Sequence, residues 1–128
     1  MKPKILIVDD QAISRALVAR GLARHGLTED YDVLQAENGA VGLKLFEAHI
    51  DIRQMIVDVH MPVMDGPTML RMMSVRWPDR IASTTIYMVT TEENESLRAR
   101  CLSYGVDEWL LKPLDITKFC GHIRQHAA

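Results

Sequence analysis

The sequence predicts an α/β protein: an open, doubly wound (βα)5 chain whose five parallel strands have the flavodoxin-like order 2-1-3-4-5. Five short apolar runs alternate with five longer stretches of helical periodicity along the 128 residues. The apolar runs are continuous rather than alternating, which is typical of parallel strands covered by helices on both faces. Because five units are too few to close an eight-stranded barrel, we expect an open sheet.

Each predicted strand is an aliphatic or β-branched run with a polar stop, and each is followed by a helical pattern. The predicted strands are residues 5–8, 33–36, 55–57, 86–89 and 109–111. The helices that follow them are predicted at 12–25, 40–48, 67–75, 93–104 and 116–126. Residues three or four apart mark the inward faces of the first three helices: Leu17, Val18, Gly21 and Leu22 in the first, Leu43 and Phe46 in the second, and Met69 and Met73 in the third.

Composition limits the possible functions. A net charge of −2 and scattered arginines argue against nucleic-acid binding. The sequence has no run of about 18 apolar residues and no signal-peptide pattern, so we expect a cytoplasmic protein without a membrane partner. Cys101 and Cys120 lack metal-ligand spacing and are interpreted as core or boundary thiols. The length suits one domain, residues 1–128.

Polar side chains follow four of the predicted strands at the point where each strand ends. Asp9 and Asp10 follow strand 1, Asp58 follows strand 3, Thr90 ends strand 4 and Lys112 follows strand 5. Carboxyl ends of parallel strands share one edge of the sheet, and a ligand crevice opens there between strands 1 and 3. We therefore expect these five side chains to converge.

Three carboxylates in one crevice require a counter-charge. Two of them about 5 Å apart repel by ~3 kcal/mol at an effective dielectric of about 20, so the cluster favours a proton or a cation. Oxygen ligands alone suit Mg²⁺, or Mn²⁺, better than zinc. With the ammonium of Lys112 and the hydroxyl of Thr90, such a site could hold a phosphoryl group. Taken singly, Asp9 or Asp10 could instead cap the first helix.

The ordered set of motifs is specific. Asp9-Asp10, the segment Asp-Val-His-Met-Pro-Val-Met-Asp-Gly from Asp58 to Gly66, Met-Val-Thr-Thr around Thr90 and Leu-Lys-Pro around Lys112 resemble the receiver domain of two-component response regulators. The resemblance covers essentially the whole chain. We expect no output domain after residue 128, and on that expectation the chain most resembles the stand-alone, CheY-like members, some of which act in chemotaxis.

The resemblance implies a role for each motif residue. Asp58 would accept a phosphoryl group from a sensor histidine kinase or a histidine phosphotransfer protein, and the chain would catalyse only its own phosphorylation and dephosphorylation. Asp9, Asp10, Asp58 and the backbone carbonyl of His60 would hold Mg²⁺. Lys112 would pair with Asp58 and then with the phosphoryl oxygens, and the peptide bond that follows Lys112 would be cis.

The resemblance also implies a switch and a partner surface. Thr90 would bond a phosphoryl oxygen and release an aromatic residue of strand 5, here Trp109. The face made by helix 93–104, strand 5 and the last helix would then bind an unknown effector. Trp109 is bulkier than the usual tyrosine or phenylalanine, and a fixed anchor is its alternative interpretation.

Two further positions border the predicted site, and one connection lies away from it. His60, two residues after Asp58, and Glu92, two residues after Thr90, are predicted to tune the lifetime of the phosphorylated state. The long connection 26–32 is interpreted as a tolerated surface insertion.

Other functions could use the same strand ends. A phosphate sink or relay, or a receiver separated from a hybrid kinase, would keep the same site. An Mg²⁺-dependent aspartyl phosphohydrolase is more remote, because its nucleophile would end strand 1. A flavin carrier would need a Ser/Thr/Gly-rich phosphate loop after strand 1, where Asp9 and Asp10 stand.

Overall fold

The computed structural model describes residues 2–126 and confirms the predicted architecture. One sheet has the order β2-β1-β3-β4-β5, and all neighbouring strands are parallel. The strands are β1 (Lys4–Val8), β2 (Asp32–Ala36), β3 (Ile52–Asp58), β4 (Thr85–Thr90) and β5 (Glu108–Leu111). The helices are α1 (Ala12–Arg24), α2 (Gly39–Ala48), α3 (Gly66–Arg76), α4 (Pro78–Ala82), α5 (Glu95–Ser103) and α6 (Ile116–Gln125).

Strand β3 and helix α4 differ from the sequence prediction. Strand β3 begins at Ile52 rather than at residue 55. The prediction missed this start because the polar residue Gln54, which is buried inside the strand, interrupts the apolar pattern of the sequence. The short helix α4 was not predicted. It directly follows Trp77 with a proline at its first position, where the missing backbone N–H has no helical partner to lose.

Helices cover both faces of the sheet, as continuous apolar strands require. Alternating residues of each strand point to opposite faces, so Leu6 and Val8 enter one core while Ile5 and Ile7 enter the other. The first core is closed by α2 to α5 and the second by α1 and α6. Cys101 and Cys120 are buried in these cores, as predicted, one on each side of the sheet.

The connection between α1 and β2 is not the surface insertion that the sequence suggested. It contains a 3-10 turn, Leu27–Glu29, and the side chains of Leu27 and Tyr31 are buried in the core under α1 and α6. Two apolar residues in a polar segment were enough to fix this connection against the core.

Side chains mark the beginnings of four helices. Asn38, Asp65, Asn94 and Asp115 each accept a hydrogen bond from a backbone N–H in the first turn of the helix that follows. The helix predicted at 93–104 therefore begins only at residue 95. No helix within the described part of the chain is long and apolar enough to cross a membrane.

Candidate functional site

The three predicted carboxylates meet at the carboxyl ends of β1 and β3. One oxygen from each of Asp9, Asp10 and Asp58 lies within 4.8 Å of the others. Neighbouring strands cause this convergence, since β1 pairs with β3 in register up to Val8 opposite Val57. Asp9 is buried, Asp58 is partly buried and Asp10 is exposed. The cluster is therefore open to solvent on the side of Asp10.

Lys112 supplies the positive charge of the site. Its ammonium lies 3.2 Å from Oδ2 of Asp58 and 3.7 Å from Oδ2 of Asp9. Its backbone N–H donates to the carbonyl of Thr90, which holds the end of β5 against β4. The Lys112–Pro113 peptide bond is cis, as the resemblance implies. Lys112 is thus held in the crevice and is not a solvated lysine at the end of a strand.

The electrostatic balance disfavours the charged form of Asp58. Burial raises the pKa of its carboxyl, the Lys112 ammonium opposes this, and the neighbouring Asp9 carboxylate raises the pKa further. The net effect is a raised pKa. A cation placed among the three carboxylates would act in the opposite direction and favour the ionised aspartate.

Asp9 is oriented by its own loop. Its side-chain Oδ1 accepts a hydrogen bond from the backbone N–H of Gln11, and its carbonyl accepts one from Arg15. Gln11 occupies the N-cap position of α1, and no side chain caps that helix. Helix capping by Asp9 or Asp10, the alternative left open by the sequence, is not observed. The contribution of Arg15 was missed, because a single arginine on a helix gives no motif.

Thr90 and Trp109 lie on the same face of the sheet. Trp109 pairs with Met88 in the β4–β5 register, and Thr90 pairs with Leu111 two residues further on. Trp109 is half-buried and packs against the core closed by α2 to α5. The Thr90 hydroxyl, almost fully buried, accepts a hydrogen bond from the backbone N–H of Glu92.

His60 and Glu92 form a contact between the two loops that follow β3 and β4. His60 Nε2 lies 2.7 Å from a carboxylate oxygen of Glu92, and 70% of the His60 side chain is exposed. The two residues come from the loops that follow β3 and β4, so the contact joins the loop after Asp58 to the loop after Thr90. The sequence predicted that both residues border the site, but not that they touch.

The loop after β3 is tightly constrained. A Cβ at Gly66 would lie 2.3 Å from the carbonyl oxygen of Asp58, so only glycine permits this approach of the loop to the strand. Val63 has a φ of 68°, a left-handed conformation that is rare for a β-branched residue. The end of β3 that carries Asp58 is therefore held by a close backbone contact and a strained turn.

The donor set fits a hard divalent cation. Carboxylate oxygens at this spacing, one side open to water, can hold a metal ion without any soft ligand. Asp9, Asp10 and Asp58 are the residues that would contribute ligands. The site is thus an acidic centre, able to hold a metal ion, at the switch point of a doubly wound sheet.

Comparison with known proteins agrees with this fold and site. Residues 5–124 match the family described as response regulator receiver domain, and the chain belongs to that family. The chain is 33% identical over 110 residues to the chemotaxis protein CheY1 of Helicobacter pylori, a match that covers 86% of this chain and 85% of that protein. It is a CheY-like receiver domain of a two-component response regulator.

Two further relatives differ in size. The sensor histidine kinase TmoS of Ectopseudomonas mendocina is 35% identical over 113 residues, which cover 88% of this chain but only 11% of that kinase. The crystal structure of the chemotaxis protein CheY4 of Vibrio cholerae superposes with a TM-score of 0.83 at 28% identity, covering 99% of this chain and 100% of that one. The receiver fold therefore matches proteins of very different overall length.

Proposed function

We propose that this chain accepts a phosphoryl group on Asp58 in an Mg²⁺-dependent reaction. The donor would be a phosphohistidine on a sensor histidine kinase or a histidine phosphotransfer protein. The observation that carries the proposal is the placement of Asp58 beside both the Lys112 ammonium and the carboxylates of Asp9 and Asp10. This is a nucleophile at a rigid strand end, next to a candidate cation site and to a fixed ammonium.

The residues divide the chemistry between them. An oxygen of Asp58 forms the new bond to phosphorus as the bond from phosphorus to the histidine nitrogen breaks, and the histidine of the donor departs with the bonding pair. Lys112 moves its ammonium from Asp58 to the phosphoryl oxygens. Asp9 and Asp10 would hold Mg²⁺, with the backbone carbonyl of His60 as a further ligand, and Mn²⁺ could replace it; the ion neutralises charge on the transferring group.

Intact mass tests this proposal directly. Incubation with Mg²⁺ and a small acyl phosphate should add one phosphoryl group. The adduct should be absent with chelator and absent in Asp58→Asn. Asp65→Asn is a matched control, because Asp65 is an exposed aspartate whose side chain caps α3. An adduct that survives in Asp58→Asn, or no adduct under any condition, would contradict the proposal.

A second step would transmit the modification to a partner surface. The Thr90 hydroxyl would leave the N–H of Glu92 and bond the phosphoryl group, and Trp109, on the same face of the sheet, would respond. The partner surface is the face formed by α5, β5 and α6, where Leu102 and Leu111 are 48% and 43% exposed. An effector protein that binds this face more tightly after phosphorylation would support this step.

Tryptophan fluorescence can follow Trp109 once Trp77 is replaced. In Trp77→Phe, a stable mimic of the phosphoryl group should change the emission of Trp109, and the change should be absent when Thr90→Ala is added. An unchanged emission would assign Trp109 to a fixed anchor of the core.

His60 and Glu92 would set the lifetime of the phosphorylated form. Their contact joins the loop after Asp58 to the loop after Thr90, and we expect it to limit the approach of water to the acyl phosphate. Opening it in His60→Asn or Glu92→Gln should change the rate of hydrolysis in the same direction, and the double variant should add little. Equal rates in all four proteins would exclude this role.

The similarity to part of TmoS favours a second candidate role, that of a relay or phosphate sink, or of a receiver from a hybrid kinase. Rapid return of the phosphoryl group to a histidine domain would support this role. Under either role the chain acts only on its own Asp58. Turnover of an external phosphomonoester would instead indicate a phosphohydrolase.

A further inference from the structure

A second group of metal-ligating side chains lies at the edge of the sheet, apart from the acidic centre. His122 on α6 contacts Glu108 on the edge strand β5, with its Nδ1 at 2.7 Å from each carboxylate oxygen. His126, one residue beyond α6, places its Nε2 at 3.9 Å from Oε2 of the same carboxylate. One glutamate thus lies beside two imidazoles.

The backbone explains this convergence. His122 and His126 are four residues apart, so they lie on the same side of the last turn of α6. Glu108 lies opposite Tyr87 in the β4–β5 register, and Tyr87 packs against Phe119 of α6. The Glu108 side chain therefore projects on the side of the sheet that α6 covers.

Glu108 contacts His122 directly and lies 3.9 Å from His126, so a shared metal ion requires small shifts of these side chains. With metal–ligand distances of about 2.1 Å, two ligand atoms of a tetrahedral zinc site lie roughly 3.4 Å apart. The distances from Glu108 to His122 and to His126, 2.7 and 3.9 Å, lie on either side of this value. A slightly longer distance from Glu108 to His122 and a slightly shorter distance from Glu108 to His126 would give the spacing of zinc ligands.

We propose that Glu108, His122 and His126 bind a divalent transition-metal ion such as zinc. Two neutral imidazoles and one carboxylate are a ligand set for zinc, copper or nickel, whereas magnesium prefers oxygen alone. A pair of histidines four residues apart on one helix face is a recurrent zinc-binding arrangement. A fourth position would remain for water or for a group from a partner.

The His126 ring must rotate to complete this site. Within residues 2–126, Asp9, Asp10 and Asp58 form the group whose ligand atoms already lie within 4.8 Å of one another. His126 is exposed over 41% of its side chain and lies beyond the last residue of α6, and the rotation would change the edge contact of its ring with Tyr87. Arg124, the nearby cation on α6, donates to the carbonyl of His25 on the opposite side of the helix and leaves the ligands accessible.

The competing interpretation is a plain ion pair between Glu108 and His122 that holds α6 against β5. The two interpretations differ at His126, which adds little to an ion pair but is one of three ligands in a metal site. They also differ in the response to added metal: the ion pair needs none, whereas the site would raise the midpoint of thermal unfolding as zinc is added.

Calorimetric titration of the full chain with zinc, in excess Mg²⁺ to occupy the acidic centre, tests the proposal. We expect one zinc site whose affinity falls at least tenfold in His126→Gln and at least tenfold in Glu108→Gln. Ring resonances of His122 and His126 should move together with zinc in nuclear magnetic resonance spectra. His126→Gln is the decisive variant, because it removes one ligand of the metal site and leaves the contact between Glu108 and His122 in place.

Two histidine variants serve as controls. His49→Gln, at the end of α2, and His60→Asn, beside the acidic centre, should bind zinc as the parent chain does. Absence of zinc binding, or unchanged affinity in His126→Gln, would overturn the proposal. Binding that is abolished by Mg²⁺ or by His60→Asn would place zinc at the acidic centre and would overturn it equally.

Discussion

Gln54 and Asp58 are two polar side chains on the same face of strand β3, and their surroundings are opposite. Gln54 is buried and makes three hydrogen bonds: its amide donates to the Tyr31 hydroxyl and to the carbonyl of Ile123, and it accepts from the Tyr87 hydroxyl. Asp58 has one side-chain contact at 3.2 Å, to Lys112, and a raised pKa.

The difference in hydrogen-bond partners shows that Gln54 is a structural polar group and that Asp58 is a reactive one. The amide of Gln54 is neutral, and its partners satisfy it, so it ties α6 and the α1–β2 connection to the sheet. Asp58 is a charge without enough partners, and neighbouring carboxylates make its ionisation less favourable. A cation bound among the three carboxylates would stabilise the ionised form of Asp58.

Removing the structural residue should have the largest effect on stability. Gln54→Ala leaves the Tyr31 hydroxyl, the Tyr87 hydroxyl and one carbonyl without their partner and opens a cavity. We expect a loss of about 3 kcal/mol in the free energy of unfolding, measured by urea denaturation. Below the unfolding transition, phosphorylation of Asp58 should persist. A loss under 1 kcal/mol would show that water replaces the amide without cost.

Relieving the strain near the reactive residue should have a smaller effect, of opposite sign. Val63 is 83% exposed and left-handed, so Val63→Asn removes a steric cost without opening the core. We expect a gain of about 1 kcal/mol in the free energy of unfolding. Val75→Asn, an equally exposed valine within α3, is the matched control and should show no gain.

Removing the charge of Asp58 should have the smallest effect on stability, and one that depends on pH. Because its pKa is raised on folding, the native chain binds more protons than the unfolded chain between the unfolded and folded pKa values. Stability therefore falls as pH rises through that interval. In chelator, Asp58→Asn should unfold at a higher temperature than the parent near neutral pH.

The same comparison predicts where this gain disappears. Below the ordinary pKa of an aspartate, Asp58 is protonated in both the folded and the unfolded parent chain. The midpoints of thermal unfolding of the parent and of Asp58→Asn should therefore converge. A constant difference across pH would show that packing, and not charge, separates Asp58 from asparagine. Gln54→Glu, the converse change on the same strand, should destabilise the chain more as pH rises.

Much of the site was predictable because its residues follow apolar strands. Asp9, Asp10, Asp58 and Lys112 each stand at a strand end, and their side chains meet because parallel strands bring such ends to one edge. That the Thr90 hydroxyl joins them stays a prediction. The start of β3 was missed for a related reason: a polar Gln54 inside a buried strand breaks the apolar run that marks it. The burial of Leu27 and Tyr31 was missed because polar residues surround them in the sequence.

The sequence by itself determined the five βα units, the strand order and the acidic edge, because periodicity and strand ends are local features that parallel pairing converts directly into position. Only the tertiary structure decided how Gln54 is satisfied, since its partners lie 23, 33 and 69 residues away along the chain. The same holds for the contact of His60 with Glu92 and for the meeting of Glu108 with His122 and His126. These contacts depend on how helices and loops dock on the sheet, which no local pattern encodes.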